Sequence, residues 1–570
     1  MSRVRTLASA ALLVTVVTLA SRIVGFGRWL GQGAFVGNGP VTESFNAANT
    51  LPNVLFEVAA GGALAGAVVP LLAGPLSRGT FTSEGTAEGK EQASRSASAL
   101  LGWTLVVLVP LAVLMALLAR PIAGLLDLPD PALTDLAARF LRVFAVQVPL
   151  YGLAVVLGGI LQAHRRFFWP AFAPLVSSLV VIVVYAGFWA QAKPHQQDLT
   201  EISARALDWL AWGMTAGVAF LMLPLLVPVW RTGLRLRPTL RFPAGEGRRA
   251  ARLAFAGVGA LVAQQLSALV VLRVAAAAGA YTVYLYAQQV YLLPYAVLAF
   301  PIATSAFPYF AEHVAAKRLD ALRALVARTT HSLLLVTAVG VAALIAAAPL
   351  VEGVFDLVVV GDADGLTEAL TWMAPGLVGY ALILHLSRVL YSVDHGRAAV
   401  ITTAAGWVVL AIAAVVLPAL TGVVDGPDGT RRVQDTLTLL GVATTFGMAV
   451  AGLGLLLAVR RHLGRDALHG VWRILGVLAI AAAAGAAAGR WFPALLPLPE
   501  RPAAVSRVAG VGAEIPFDGG WFAADLGLGL AAGLLAALVT LAVAALLDGD
   551  VRAAVGPRLR KLGRKFSRNA

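Results

Sequence analysis

The sequence predicts an all-α polytopic membrane protein with about fourteen transmembrane helices. Of its 570 residues, 59% are hydrophobic and only 13% are charged, and the mean hydropathy is +0.81. A soluble domain carries roughly 25% charged residues, so lipid must be the solvent for most of this surface. Apolar runs of about 20 residues or longer recur along the whole chain, which is the length that crosses a hydrocarbon core of roughly 30 Å.

The apolar runs define the helices in order. We predict spans at residues 7–35, 42–76, 96–119, 134–162, 170–191, 206–230, 252–278, 283–312, 327–349, 367–392, 398–420, 435–459, 472–491 and 521–547. Two pseudo-symmetric six-helix lobes followed by two further helices account for this number. The expected parts are an N-terminal six-helix lobe at 1–235, a C-terminal six-helix lobe at 236–465, two extra transmembrane helices at 466–548 and a basic cytoplasmic tail at 549–570.

The two predicted lobes resemble each other weakly. The stretch LPNVLFEVAAGGALAGAVVPLLA, from Leu51, has a counterpart in LPYAVLAFPIATSAFPYFA, from Leu293, and an arginine precedes each by about 20 to 24 residues (Arg28 and Arg273). Internal repeats of this kind are the usual build of secondary transporters, which bind substrate where the repeats meet. Chance similarity between two apolar stretches is the alternative.

The net charge of +14 is distributed among alternate loops. Alternation of basic with acidic or mixed loops is the positive-inside pattern, so we expect both termini in the cytoplasm and an even number of spans. The basic residues are therefore interpreted as side chains of solvated loops, and no nucleic-acid partner is expected. The absence of cysteine excludes disulfides, thiolate metal sites and cysteine nucleophiles.

The first two predicted spans carry an unusual density of polar side chains, namely Arg22, Arg28, Glu43, Asn46, Asn49, Asn53 and Glu57. An arginine at the centre of a spanning helix costs roughly 2.5 to 3.5 kcal/mol, so intramembrane charges usually face the interior of the bundle or water. Asn46, Asn49 and Asn53 recur at three and four residues and form one stripe of the second helix. A hydrated cavity explains this set, and a structural ion-pair network is the alternative.

Further polar residues fall inside later spans. Arg273 is the candidate for a cavity cation in the second half, whereas Arg139 and Arg142 lie close enough to a helix end to snorkel. His385 is either a hydrogen-bonded interior histidine or a proton relay. Because candidate cavity cations outnumber anions, we expect an anionic substrate.

No enzyme motif is present in the sequence. GxxxxGK[ST], HExxH and GxSxG are all missing, and the eight histidines do not cluster at metal-ligand spacing. We therefore expect a protein that is not an enzyme and that uses neither a cofactor nor a metal. The GAAAG stretch with Gly485 and Gly489 is interpreted as helix packing.

At the level of motifs the chain resembles the MurJ/MviN family of lipid II flippases, within the multidrug/oligosaccharidyl-lipid/polysaccharide exporter superfamily. The motifs are TLASRIVGFGR ending at Arg28, Glu43, LPN at Leu51–Asn53, GGAL at Gly61–Leu64, VVPLLA at Val68–Ala73, GGILQAHRRFFWPAFAPL at Gly158–Leu175, and the stretch from Leu293. The resemblance covers roughly residues 7 to 460.

The resemblance implies two six-helix lobes around a cationic cavity, with a groove beside the last two helices that holds a lipid tail. It places the family's essential first-helix arginines on Arg22 and Arg28 and its second-helix acid on Glu43. The expected substrate-binding residues are Arg22, Arg28, Glu43, Arg273, Asn49 and Asn53. The arginines would pair with pyrophosphate, and Glu43 would position or release an arginine. The expected partners are an anionic lipid-linked glycan, membrane lipid and cell-wall synthesis proteins.

Two departures from the family pattern leave other functions open. Phe56 and Glu57 stand where many members have a basic pair, and Gln289 stands where they have a basic residue. The expected function is translocation of lipid II from the inner to the outer leaflet of the bacterial plasma membrane by alternating access. The alternatives are a related polysaccharide-lipid flippase or drug antiporter, and a non-transporting cell-wall scaffold.

Overall fold

All regular secondary structure in the described part of the chain is helical. The computed structural model describes residues 2–58, 83–243, 258–361, 363–423, 429–496 and 519–553, with the isolated positions 68, 69, 71, 72 and 247. The GGAL motif, positions 70 and 73 of VVPLLA and the tail beyond residue 553 lie outside these residues. No strand occurs among the described residues, so the predicted all-α class is confirmed.

Nine helices precede residue 280 in the described ranges. They are α1 (Ser2–Phe35), α2 (Pro40–Phe56), α3 (Ser83–Leu117), α4 (Ala119–Gly124), α5 (Pro131–Phe144), α6 (Gln147–Ala163), α7 (Phe168–Ala192), α8 (Ala204–Trp230) and α9 (Val258–Ala277).

Nine more helices follow in the described ranges. They are α10 (Tyr281–Pro294), which continues through a π-helical segment (Tyr295–Ala299) into α11 (Phe300–Ala315), then α12 (Leu319–Val358), α13 (Leu366–Met373), α14 (Gly376–Ser392), α15 (Gly396–Thr421), α16 (Gly429–Leu463), α17 (Val471–Trp491) and α18 (Gly519–Leu547).

Eleven of the described helical segments are long and apolar enough to cross a membrane, and twelve if α13 and α14, bent by 49°, form one span. The multi-pass character is therefore confirmed, while the count of fourteen stays a prediction. Apolar length explains these helices, because in lipid a helix satisfies all of its own backbone hydrogen bonds.

The described chain divides into two compact units. The first holds the residues up to Thr282 together with 358–361, and the second holds the residues from Val283 onwards apart from that short segment. Each unit has its own apolar core, one including Leu157, Ile160 and Leu225, the other including Leu386 and Leu455. The sequence-based division at residue 235 stays a prediction.

Each unit contains a span that combines the same internal break with the same closing turn. Arg165, after α6, and Asp394, after α14, adopt left-handed backbone angles with φ of +59° and +60°. The next N–H in each case, of Arg166 and His395, donates to the carbonyl five residues earlier at 2.8 and 2.9 Å. Each turn also lies nineteen residues after a break in the preceding span, at Val146 and Pro375. These shared details support the internal repeat inferred from the sequence.

Both Leu-Pro motifs of that repeat are followed by π-helical geometry. The turn at residues 57–58 follows Pro52, and the segment Tyr295–Ala299 follows Pro294 directly. Proline cannot donate to the helical ladder, and π-turns inside α-helices often mark functional sites. The repeat is thus visible in backbone geometry as well as in sequence.

Candidate functional site

The two predicted arginines of α1 differ in environment. The side chain of Arg22 is exposed, whereas that of Arg28 is half-buried, with its guanidinium carbon 5.5 Å from the ring centre of Trp29. The charge of Arg28 lies within electrostatic reach of the hydroxyl groups of Tyr151 and Tyr185. Arg28 is therefore an interior cation of the first unit, with aromatic and phenolic neighbours suited to an anionic ligand.

Glu43 is buried, with 4% of its surface exposed, and its carboxylate binds the first residues of α10. One oxygen accepts the backbone N–H of Tyr281. The other accepts the backbone N–H of Thr282 at 2.8 Å and the hydroxyl of the same threonine. A helix N-terminus offers unsatisfied N–H groups and a positive dipole end, which explains the affinity of a carboxylate for this position.

The asparagine stripe of α2 extends this network only in part. Asn46 donates to the Thr282 hydroxyl at 3.1 Å and accepts from the side-chain amide of Gln32 at 2.7 Å. Asn53 donates to the backbone carbonyl of Asn49 at 2.9 Å, within its own helix. The side-chain oxygen of Asn49 is buried and finds no hydrogen-bond partner among the described residues, so it is the member of the stripe with unused hydrogen-bonding capacity.

Arg273 lies apart from the α1 arginines. Its guanidinium pairs with Asp127 at 3.0 Å and donates to the carbonyl of Leu125 at 3.1 Å. The two charged side chains are 59% and 65% exposed, so solvent screens the pair and its contribution to stability is small. Its predicted role as a substrate ligand stays a prediction.

The position that departs from the family pattern builds an aromatic wall. The ring of Phe56 packs on that of Tyr151 with centroids 4.7 Å apart, at one end of a cavity of about 240 Å³. The charge of Glu57 also lies within electrostatic reach of Tyr151. Arg28 and Glu57, which carry opposite charges, therefore both act electrostatically on the hydroxyl group of Tyr151.

The polar residues of other spans have local partners. Arg139 pairs with Asp208 at 2.7 Å, near a helix end. In the second unit, buried His385 contacts the Thr329 hydroxyl through Nε2 at 3.2 Å, and Arg388 donates to the carbonyl of Ala303 at 3.1 Å. This geometry favours the interior hydrogen-bonded histidine over the proton relay.

Sequence reasoning missed two glutamines and one threonine that organise the start of α2. Gln197, in a loop, accepts the N–H groups of Val41 and Thr42 at 3.0 and 3.3 Å and donates to the carbonyl of Val36 at 2.7 Å. Gln32 donates to the side-chain oxygen of Asn46, and Thr282 donates to the Glu43 carboxyl group. A loop glutamine looks solvated in a sequence, so no sequence signal identifies Gln197.

The fold defines a class of protein, the polytopic all-α membrane proteins, and solved structures share its architecture. The structure matches an inward-facing multidrug MATE transporter with a TM-score of 0.60 at 17% identity, over 80% of this chain and 98% of that one. It matches a lipid II flippase MurJ in an inward closed conformation with a TM-score of 0.65 at 16% identity, over 92% and 98%. At these identities the likeness shows the fold.

The family follows from the sequence comparison. The family model described as lipid II flippase MurJ matches residues 33–427, so the chain belongs to the MurJ family. Glu43, Asn49, Asn53 and Arg273 fall within the match, and Arg22 and Arg28 precede it.

Two curated relatives match over shorter stretches. A probable lipid II flippase MurJ of Rhizobium meliloti is 31% identical over 39% of this chain and 40% of the relative. The lipid II flippase MurJ of Burkholderia cenocepacia is 28% identical over 35% and 36%. The chain therefore aligns with about two fifths of the length of these relatives.

Proposed function

We propose that this protein translocates lipid II, an undecaprenyl-pyrophosphate-linked peptidoglycan precursor, across the bacterial plasma membrane by alternating access. The observation that carries the proposal is Arg28, a half-buried guanidinium near the ring of Trp29 and within electrostatic reach of Tyr151 and Tyr185. A cation inside a membrane bundle is costly unless a ligand or a water-filled space uses it. A guanidinium pairs bidentately with phosphate and carboxylate groups, and the pyrophosphate of a lipid-linked precursor supplies such a partner. Membership of the MurJ family supports the same substrate class.

Glu43 supplies the conformational element of this proposal. Its carboxylate fixes Tyr281 and Thr282, and the second compact unit begins at the next residue, Val283. A bond between α2 and the start of α10 defines one state, and its release defines the other. The expected release of an arginine by Glu43 is thereby replaced by release of a helix N-terminus.

The proposed topology places both termini in the cytoplasm and moves the headgroup outwards, without an enzymatic step. The membrane potential, worth roughly 2.3 kcal/mol per charge per 100 mV, or a coupled ion would drive transport. Cell-wall synthesis proteins are the proposed partners, and membrane lipid is the surrounding solvent.

The test is complementation of a depleted host. Cells depleted of this protein and supplied with the Arg28→Ala variant should accumulate lipid-linked precursor that an externally added headgroup-cleaving enzyme cannot reach. Export should fall at least tenfold, because the phosphate loses its interior cation. Arg142→Ala removes an exposed arginine of α5 and is the matched control, for which export should be normal.

Three outcomes would decide against the proposal. Normal precursor export in depleted cells would end the assignment of lipid II. Normal export and growth with Arg28→Ala would favour the scaffold function. Loss of export of a different lipid-linked glycan, with lipid II export intact, would identify a related polysaccharide-lipid flippase.

A further inference from the structure

A narrow cavity runs along α6 inside the first unit. Its volume is about 240 Å³, and its walls come from α2, α6, α7 and α8, with Phe56 and Tyr151 at one end and Gln162 at the other. Tyr151 and Gln162 are eleven residues apart, roughly 16 Å along a helix. A volume of this size spread over that length has the width of a single hydrocarbon chain rather than of a sugar ring.

Between Tyr151 and Gln162 the walls of the cavity are apolar, and they include two glycines. Ala154, Val155, Ala173 and Leu225 face the space. A Cβ built on Gly158 would find its nearest neighbour, a methyl group of Leu225, at 4.0 Å, so Gly158 leaves this space open. Gly159 also lines the cavity, but a Cβ built on it would collide with Val68, so this position has no room for a side chain.

The two ends of the cavity differ in charge. Gln162 is exposed, and the turn that follows it carries His164, Arg165 and Arg166. Arg166 donates to the carbonyls of Pro228 and Arg231 at 3.0 and 3.4 Å, and Arg165 is exposed. At the far end, the Glu57 carboxylate and the Arg28 guanidinium both act on Tyr151, and their opposite charges offset each other. The basic turn beside Gln162 is therefore the end of the cavity that attracts an anion.

We propose that this cavity binds one hydrocarbon chain of an anionic phospholipid, whose phosphate lies at the basic turn formed by His164, Arg165 and Arg166. Basic pockets between transmembrane helices bind anionic headgroups in this way, and burial of each methylene contributes about 0.8 kcal/mol. His164 bonds the carbonyl of Ile160 through Nδ1 at 2.8 Å, so the exposed Arg165 is the side chain of this turn that is best placed to meet a phosphate. The site goes beyond the proposed function, since its ligand is a lipid of the surrounding membrane rather than the transported one.

The experiment measures lipid retained by the full-length protein. Purified protein is equilibrated with vesicles of phosphatidylcholine containing a minor fraction of phosphatidylglycerol, extracted in detergent and analysed by native mass spectrometry. The wild type should retain about one phosphatidylglycerol per chain. Gly158→Leu should retain none, because the side chain fills the cavity. Gly476→Leu is the matched control on α17, where a Cβ also meets nothing within 4 Å.

A second pair of variants tests the headgroup contact without altering the cavity. Arg165→Asn removes the charge at a left-handed position that asparagine tolerates and should reduce retention at least fivefold. Lys317→Asn removes a cation from another turn with φ of +54° and should leave retention unchanged.

Several results would overturn the proposal. These are equal retention of phosphatidylcholine, equal retention by Gly158→Leu, and retention of undecaprenyl phosphate in a mixture where phosphatidylglycerol does not bind. The last would show that the transported lipid occupies the cavity. Because the readout is lipid retention, failure here leaves the proposed transport function untouched.

Discussion

At the scale of single residues, Glu43 shows how a buried carboxyl group is satisfied by hydrogen bonds inside an apolar part of the chain. Two backbone N–H groups and one hydroxyl donate to its carboxylate, and no cation takes part in these bonds. Removal of one partner leaves a buried donor or acceptor unsatisfied, which costs about 1–3 kcal/mol. The residue is therefore a positioning element for α10.

Replacement of Glu43 by glutamine tests this role. Glu43→Gln keeps the volume but presents an amide NH₂ to N–H donors, so the free energy of unfolding should fall by about 1–3 kcal/mol. Thermal unfolding of the purified protein in detergent measures the change. Glu91→Gln, in an exposed pair with Arg95, is the control and should change stability by less than about 0.5 kcal/mol. An equal effect of both variants would contradict the role of Glu43.

The sequence identifies which residues are unusual but not what they bind. Arg28, Glu43 and Asn46 are conspicuous because polar side chains are costly in a membrane span. The partners of Glu43 are backbone N–H groups 238 and 239 residues away. Almost every residue has a backbone N–H group, so no sequence pattern identifies these partners. The sequence alone suggests that Arg273 is a cavity cation, whereas in the structure it pairs with Asp127, which lies in a loop.

At the scale of secondary-structure elements, an ion pair joins the ends of α17 and α18. Arg473 donates to one carboxylate oxygen of Asp548 at 2.6 and 3.0 Å. The other oxygen accepts the N–H groups of Asp550 and Val551 at 2.8 and 3.2 Å. Burial by itself raises the pKa of Asp548, but the Arg473 and backbone hydrogen bonds outweigh it and hold the pKa below its ordinary value of 3.8.

The pH dependence of this contact has a definite sign. Because the pKa is lower in the folded chain than in the unfolded one, the carboxylate stabilises the fold above about pH 4 and stops doing so as the pH falls through the folded-state pKa. Asp548→Asn should therefore lower the melting temperature at neutral pH, and the difference from wild type should shrink in acid. Asp320→Asn, in a pair where the carboxylate is 96% exposed, is the control. A difference that grows in acid would contradict the lowered pKa.

Element boundaries follow from sequence where composition changes and fail where it does not. Apolar length predicts α7, α8 and α15 within a few residues of their observed bounds. The breaks at Val146 and Pro375 interrupt stretches that remain apolar, so hydropathy alone does not reveal them. A proline accompanies both breaks: Pro375 lies at the second, and Pro149 follows the first, where its ring opposes the carbonyl four residues earlier.

At the scale of the whole molecule, repeated turns and breaks in the two units indicate duplication of one helical plan. The repeated turns after α6 and α14 share a left-handed residue that is arginine in one unit and aspartate in the other. The two turns share backbone geometry but not side chains. The proposed repeat is therefore clearer in the backbone than in the sequence.

Sidedness of the chain in the membrane provides the test at this scale. The basic turns after α6, α8 and α11 are expected inside and the loops around residues 129 and 201 outside. Because the chain contains no cysteine, single substitutions can be labelled without background. A membrane-impermeant maleimide should label Pro129→Cys and Glu201→Cys in intact cells, and Ala316→Cys only after permeabilisation. All three positions are exposed, so labelling reports location rather than burial. Labelling of Ala316→Cys from outside would reverse the topology and, with it, the direction in which the proposed substrate moves.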